Sequence, residues 1–302
     1  MISYGRKLCA TSDAHSRGFM SPASAIRRKV LRDTVNAFIL AEKSRRYHRL
    51  AETNLIEWQN SSPNVFTDTC IFVHADDWGV VTQQLTQRFG QCFAVLNMAN
   101  AFIPGGGYVE GAAAQEENMY RRSNCHFSIT SADYDAKRDQ YYPRMTRLLQ
   151  GHTGYVYLDT QHPRICIRGP EDPEKPDLGY EWLVNHEVFP FYEMRASAQD
   201  LRDGRSFDIH EAHRRIAAQF NTLQRHQIRH VVFGAFGCGA FLNPANEVAA
   251  IYRQELEQRL EHFDCVAFAI RSSHPERDTF TPFAEAMHSL GATLVNQAGS
   301  TI

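Results

Sequence analysis

The stretch that decides the fold is residues 93–117, FAVLNMANAFIPGGGYVEGAAAQEE. Its first four residues are apolar and predict a buried strand, and its last three, Gln115–Glu117, predict the first turn of a helix. Gly105–Gly107 lie between them without any Cβ, so a ligand can approach the main chain there. Because the first turn of a helix favours negative charge, we expect the two glutamates at the edge of that ligand.

A second stretch repeats this order at residues 230–244, HVVFGAFGCGAFLNP, and a helix is predicted from Asn246 to Arg259. Two strand, glycine-loop and helix units in one sheet predict a cleft where backbone N–H groups converge on an anion such as a pyrophosphate. Gly237-x-Gly239 lacks the third glycine of a dinucleotide fingerprint, and the chain has no Gly-Lys-Ser/Thr loop. Oxidoreductase and nucleoside-triphosphatase functions are therefore disfavoured.

The composition indicates a globular protein with no general attraction to polyanions. The chain has 302 residues, 43% of them apolar, and a formal net charge of -2. We therefore expect no direct nucleic-acid partner and no membrane partner. No apolar run approaches the ~20 residues of a membrane span, and no signal peptide is indicated.

The seven cysteines are scattered singly, which is typical of reduced thiols and predicts a cytoplasmic protein. A secreted effector delivered without a cleaved signal would have the same composition. No Cys-x-x-Cys and no His-Glu-x-x-His occurs, so we expect neither a metal nor another cofactor.

Strands alternate with helices along the rest of the chain, which predicts an α/β sheet with helices on both faces. Residues 1–60 are expected to form an N-terminal arm and a helical extension that packs on the core. One long helix is predicted from the Ser21-Pro22 cap to about Trp58, with a solvated basic face that carries Arg27. Residues 61–302 form the main domain, with an insertion at about 131–181 that contains two short strands, 155–158 and 165–167.

The glutamate pair is the better chemical candidate of the two loops. Adjacent helix residues point about 100° apart, so Glu116 and Glu117 cannot flank one bond from opposite sides. One must act and the other must position. Cys238 as a nucleophile with His230 as its base is the competing hypothesis, but an extended strand would separate them by about 20 Å. We favour Cys238 as a small residue in a tight turn.

The motif Gly105-Gly106-Gly107, seven residues, then Gln115-Glu116-Glu117 resembles the catalytic signature of macrodomains of the poly(ADP-ribose) glycohydrolase type. Residues 237–241, GCGAF, are similar to the second loop of that family. The resemblance covers about residues 93–124 and 231–247. It implies a three-layer α/β/α macrodomain with a mixed central sheet. It also implies an ADP-ribosyl hydrolase that cleaves the glycosidic bond at the distal ribose and releases ADP-ribose.

The resemblance also implies a role for each matching residue. Glu117 would be the catalytic acid, and Glu116 would hold a ribose hydroxyl. The remaining residues would bind ADP-ribose: Asn100, Gly105, Gly106, Gly107 and Gln115 from the first loop and its helix, and Gly237, Cys238, Gly239, Ala240 and Phe241 from the second loop.

Three functions remain open from the sequence. The substrate is either poly(ADP-ribose) or a mono-ADP-ribosylated protein, for example one modified on arginine, and a non-catalytic reader of ADP-ribose would use the same cleft. The paired glutamates favour catalysis, because a protein that only binds an anion gains nothing from two carboxylates beside it.

Overall fold

The computed structural model describes Arg6, Leu8, residues 21–62, 68–271 and 277–296, and Thr301. Most of the predicted N-terminal arm lies outside the described residues. The helices are α1 (Pro22–Ala41), α2 (Arg46–Ser61), α3 (Trp78–Phe89), α4 (Gln115–Arg122), α5 (Pro143–Leu149), α6 (Ile209–Arg225), α7 (Ala245–Glu257) and α8 (Phe280–His288). The strands are β1 (Cys70–His74), β2 (Ala94–Met98), β3 (Tyr134–Asp135), β4 (Gln140–Tyr141), β5 (Tyr157–Cys166), β6 (Phe189–Ala196), β7 (His230–Phe233), β8 (Cys265–Ala269) and β9 (Thr293–Val295).

Seven of these strands form the central sheet, in the order β5-β6-β2-β7-β8-β1-β9. All neighbours are parallel except β5, which runs antiparallel to β6, so the predicted mixed sheet is confirmed. The strands that precede the two glycine loops are direct neighbours, because Ala94 of β2 pairs with Val231 of β7. Parallel neighbours end at the same edge of a sheet. Both loops therefore leave the sheet side by side.

Alternate residues of the strands enter two separate apolar cores. Val231 and Phe233 of β7 join the core formed with α6, α7 and α8, whereas Val232 joins the core formed with α1, α3 and α4. This alternation follows from the two-residue repeat of a strand. A sheet between two helical layers is the predicted three-layer α/β/α arrangement.

The N-terminal extension is two helices, so the prediction of one helix to Trp58 is wrong. The chain turns at Glu42–Arg45, where Arg45 adopts a left-handed conformation with φ 48°. Leu31 and Val35 of α1 enter the core beside α3 and α4, whereas Ala51 of α2 packs in a smaller cluster with β5. Placing a domain division between residues 60 and 61 stays a prediction.

Part of the predicted insertion at 131–181 is built into the central sheet. The two short strands predicted there are the ends of a single strand, β5, at the sheet's edge. Its pairing with β6 shifts register between Asp159 and Arg164, around Pro163. Strands β3 and β4 form a separate hairpin in the same segment. Among the described helices, none has the length and apolar character needed to cross a lipid bilayer.

Candidate active site

The first glycine loop folds over the start of α4, and the two glutamates hold it through its backbone. The Gly105 amide donates to Oε1 of Glu116 at 3.1 Å, and the Gly107 amide donates to Oε1 of Glu117 at 2.9 Å. The Asn100 amide donates to Oε2 of Glu116 at 2.7 Å. These loop amides are engaged by the protein's own carboxylates, so the loop offers a ligand its Cβ-free surface instead.

Gly106 shows why the loop needs glycine. Its φ is +56°, and a Cβ at this position would lie 2.4 Å from Oε1 of Glu117 and 3.1 Å from Oε2 of Glu116. Any larger residue would therefore collide with the Glu117 carboxylate and crowd that of Glu116. The two side chains converge on this one glycine although they leave the helix in different directions.

Gln115 and Asn100 brace this corner of the sheet. The Gln115 side chain accepts from the Met98 amide at 3.0 Å and donates to the Leu96 carbonyl at 2.8 Å, which joins the start of α4 to β2. Oδ1 of Asn100 accepts from the amides of Phe102 and Ile103 at 2.8 and 2.9 Å. Both predicted ligand-binding residues thus have a structural task, and both also line the cavity described below.

Both glutamates are buried, with Glu116 only 3% and Glu117 8% exposed. Burial and, after it, the neighbouring charge of Glu117 raise the pKa of Glu116 well above its usual value. Glu116 uses both carboxylate oxygens in backbone hydrogen bonds. Within the described part of the chain, Oε2 of Glu117 accepts no hydrogen bond, so this oxygen is available to a ligand.

The second glycine loop is held by a neutral side chain. Nδ2 of Asn243 donates to the carbonyls of Gln199, Gly237 and Phe241, at 2.7, 3.2 and 3.2 Å. Gly237 has a φ of +76°, and a Cβ there would lie 2.5 Å from the Ala198 Cβ. The tight turn predicted for this loop is therefore present.

Cys238 and His230 do not form a catalytic pair. His230 lies at the start of β7, where its ring packs against Phe89 and Phe93 and burial lowers its pKa to about 4. Burial raises the pKa of the Cys238 thiol to about 12, which disfavours the thiolate that a nucleophile requires. The structure supports a packing role for this cysteine.

The two loops share one cavity of about 850 Å³, a size suited to a dinucleotide-sized ligand. Eleven of the twelve residues predicted for the site line it: Asn100, Gly106, Gly107, Gln115, Glu116, Glu117, Gly237, Cys238, Gly239, Ala240 and Phe241. Gly105 does not line it, because its amide is turned toward Glu116.

Sequence reasoning missed several charged residues of the cavity wall. Arg27 of α1 is only 14% exposed and pairs with Glu171 at 2.6 Å, so its assignment to a solvated face is wrong. Arg202 lies on the other side, 5.0 Å from the Phe241 ring centre. Its hydrogen bonds to Asp200 raise the pKa of Arg202, and the charge of Glu117 adds to this shift. Both arginines come from segments far from the glycine motifs, and no local pattern indicates them.

The family described as the catalytic domain of microbial-type poly(ADP-ribose) glycohydrolase (PARG) matches residues 12–149, which include the glycine motif and both glutamates. This part of the chain is therefore similar to the catalytic domain of microbial-type PARG. A comparison with curated proteins gave no match.

Solved bacterial PARG structures share the fold of most of the chain. The PARG from Thermomonospora curvata is 20% identical, with a TM-score of 0.56 over 86% of this chain and 98% of that one. The PARG from Deinococcus radiodurans in complex with ADP-ribose is 25% identical, with a TM-score of 0.55 over 82% of this chain and 92% of that one. A further Thermomonospora curvata PARG structure holds the inhibitor ADP-HPD, at 21% identity, a TM-score of 0.54 and the same coverage. The macrodomain-like fold inferred from two motifs is confirmed over both halves of the chain.

Proposed function

We propose that the protein is a poly(ADP-ribose) glycohydrolase, which cleaves the glycosidic bond at the distal ribose and releases ADP-ribose. The observation that carries the proposal is the convergence of Glu116 and Glu117 on the first glycine loop, inside a cavity that the second loop closes from the other side. Two comparisons support the same activity: the match of residues 12–149 to the microbial-type PARG catalytic domain, and the similarity of the chain to the Deinococcus PARG in complex with ADP-ribose.

Glu117 is placed to act as the acid. Cleavage at an anomeric carbon passes through an oxocarbenium-like state, and the leaving oxygen needs a proton. Oε1 of Glu117 is held by the Gly107 amide, so the loop fixes the carboxyl group of a residue that lines the cavity. We propose that Glu117 protonates the leaving group and, as a carboxylate, then activates the attacking water.

Glu116 and Asn100 would hold the distal ribose. Glu116 is the more buried carboxyl, and the same backbone corner anchors both of its oxygens. Oδ1 of Asn100 accepts a hydrogen bond within its own turn. The side-chain Nδ2 of Asn100 is therefore the atom that can donate to a ribose hydroxyl. Gln115 would act indirectly, by joining the catalytic helix to β2.

The second loop would bind the diphosphate. Gly239 and Ala240 are exposed at its tip, and backbone amides without bulky side chains suit phosphate oxygens. Phe241 would pack against the distal ribose, with Arg202 behind its ring. Gly106 and Gly107 would approach that ribose from the opposite side.

One assay separates the candidate functions. Purified protein is incubated with poly(ADP-ribose), with arginine-linked and with serine-linked mono-ADP-ribosylated protein, and free ADP-ribose is measured. We expect release from poly(ADP-ribose). Release from a mono-ADP-ribosylated protein alone would establish the alternative hydrolase, and binding without any release would establish a reader. A Glu117→Gln variant prepared in the same way controls for contaminating hydrolases.

We also propose the macromolecular partners and the location of the protein. An ADP-ribosylated protein as macromolecular partner follows from the proposed reaction, and the lack of direct nucleic-acid binding follows from the net charge of -2. The cytoplasmic location proposed from the cysteine pattern stays a prediction. Fractionation of the cells that make the protein would test it.

A further inference from the structure

An arginine from the N-terminal arm reaches the catalytic loop. Arg6 lies outside the part of the chain that matches the PARG family, yet its side chain is only 6% exposed. Its Nη1 donates to the carbonyl oxygen of Gly106 at 2.6 Å. A guanidinium this deeply buried is costly unless charged partners compensate for the lost water.

Those partners come from two other segments. Nε of Arg6 donates to both carboxylate oxygens of Asp139, at 2.8 and 3.0 Å, and Nη2 donates to Asp139 at 2.5 Å and to Glu110 at 3.0 Å. The Tyr134 hydroxyl donates to Asp139 at 2.5 Å, which fixes this carboxylate from the hairpin side. Arg6 thus has a defined place between the hairpin and the glycine loop.

The bond to Gly106 matters because of what lies at the other end of the same peptide group. The carbonyl of Gly106 and the N–H of Gly107 belong to one planar unit and point in opposite directions. Arg6 binds the carbonyl, and Glu117 binds the N–H. A cation on the carbonyl also polarises the peptide and strengthens its N–H as a donor.

Without this hold, the peptide group would be free to turn. Gly106 has a φ of +56°, and glycine adopts alternative conformations at little cost. A rotation of the plane would remove the N–H from Oε1 of Glu117. The carboxyl group would then lose the only hydrogen bond that it makes to the described residues.

We propose that Arg6 is a positioning residue for catalysis, which fixes the Gly106–Gly107 peptide group so that Glu117 is held at the scissile bond. The inference rests on the proposed function. It adds that the N-terminal arm, outside the matched catalytic domain, is required for full turnover. Arg6 does not line the cavity, so ligand affinity depends on it much less than turnover does.

The test compares Arg6→Ala with Arg6→Lys and with a matched control, Arg144→Ala. Arg144 also pairs with an aspartate near the hairpin, Asp133, but it is 81% exposed and does not touch the loop. We expect kcat for poly(ADP-ribose) to fall by about tenfold to a hundredfold in Arg6→Ala, as small misplacements of catalytic groups do. KM and the Kd for ADP-ribose should change less than about threefold, with one binding site per chain. Arg6→Lys should recover part of the loss, and Arg144→Ala should match the wild type.

A second measurement does not depend on turnover. Amide hydrogen exchange in peptides that span residues 103–110 should be faster in Arg6→Ala, and also in Asp139→Asn, which removes the negative charge of the main partner of Arg6. If Arg6→Ala fails to fold, Arg6→Lys and Asp139→Asn carry both measurements.

The outcomes separate the two proposals. A wild-type protein that releases no ADP-ribose would overturn the proposed function, and the exchange rates would still decide the role of Arg6. An active wild type with unchanged kcat and unchanged exchange in the Arg6 variants would overturn the positioning role alone. Equal losses of kcat and of binding stoichiometry would show that Arg6 only stabilises the fold.

Discussion

The two glycine loops leave neighbouring strands and line the same cavity, but they are held in different ways. The first loop is held by ionisable groups, with Glu116 and Glu117 on its amides and Arg6 on the Gly106 carbonyl. The second loop is held by the neutral amide of Asn243 on three carbonyls. The two units share the order of strand, glycine loop and helix, but different side chains hold the two loops in place.

This difference indicates that the two loops have different roles, one in catalysis and one in ligand binding. Charged groups that hold backbone in a buried site can also exchange protons with a substrate, whereas a carboxamide cannot. We therefore expect changes at the first loop to reduce turnover and changes at the second loop to reduce affinity. Five measurements test and extend this comparison, from the largest expected effect to the smallest.

Replacing Glu117 by glutamine should have the largest effect on turnover. Glutamine keeps the shape of the side chain but cannot supply a proton, so kcat should fall by about a hundredfold or more while the Kd for ADP-ribose stays within about threefold. Steady-state kinetics and calorimetric titration measure the two quantities. Unchanged turnover would remove Glu117 from its role.

Glu116→Gln is the matched comparison. The Glu116 oxygens accept the amides of Asn100 and Gly105, so the NH2 of glutamine must face one of these donors. We expect a loss of stability of about 1–3 kcal/mol and weaker ADP-ribose binding together with slower turnover. A variant that lost turnover alone would assign Glu116, too, to proton transfer.

The support of the first loop should depend on pH through His126. Nδ1 of this buried histidine lies 2.9 Å from the hydroxyl of Tyr108, whose ring lies directly against Gly105. Burial lowers the pKa of His126 from 6.5 to about 4. As the pH falls through this interval, the unfolded chain binds the proton first, so stability present above about pH 6.5 is lost progressively toward pH 4.

For His126 the loss by pH 5 amounts to about 2 kcal/mol, or about thirtyfold in the unfolding equilibrium. Urea unfolding at pH 7 and at pH 5 should show a loss of stability that is about 2 kcal/mol larger in the wild type than in His126→Gln. His74 and His230 also have lowered pKa values but are present in both proteins, so the difference reports His126. Equal losses in the two proteins would contradict the prediction.

Alanine at one glycine of each loop gives a crossed comparison. A Cβ at Gly106 would displace the Glu117 carboxylate, whereas a Cβ at Gly237 would push on Ala198 and on the Asn243 amide at 2.7 Å. We expect Gly106→Ala to lower kcat, and Gly237→Ala to raise the Kd for ADP-ribose, each by about tenfold. The reverse pattern would show that the division between the loops has been assigned the wrong way round.

The smallest effect is expected for Cys238→Ala. The thiol is 3% exposed, and its Sγ lies 3.6 Å from the Phe236 carbonyl, so alanine removes one buried atom and a weak contact. Turnover should fall no more than about threefold, because backbone rather than thiol is proposed to contact the ligand. A loss of activity as large as that of Glu117→Gln would instead support Cys238 as the catalytic nucleophile.

The features that the sequence predicted well are those encoded by neighbouring residues. Ser21 caps α1 by accepting from the Ser24 amide, as the Ser21-Pro22 pair predicted. The strand before each glycine loop and the helix start at Gln115 were also predicted correctly. Capping and apolar runs act over a few residues, so a local pattern is sufficient for them.

The features that were missed depend on partners distant in the chain. Glu193 of β6 is buried between Arg164 and Arg195, whose Nε atoms lie 2.9 and 2.7 Å from its carboxylate oxygens. A polarity pattern assigns such charges to solvent, and only the folded chain shows that they neutralise one another. The role of Arg6 could not be predicted for the same reason, because the carbonyl group that it binds lies 100 residues away in the chain.

The register shift in β5 also has a consequence for association. An edge strand exposes unpaired N–H and C=O groups on which a second polypeptide can extend the sheet. Here the strand is distorted between Asp159 and Arg164, and Pro163 supplies no N–H, so the row of free donors is interrupted. The β5 edge of the seven-stranded sheet is therefore a poor template for an eighth strand, which disfavours edge-to-edge association on that side.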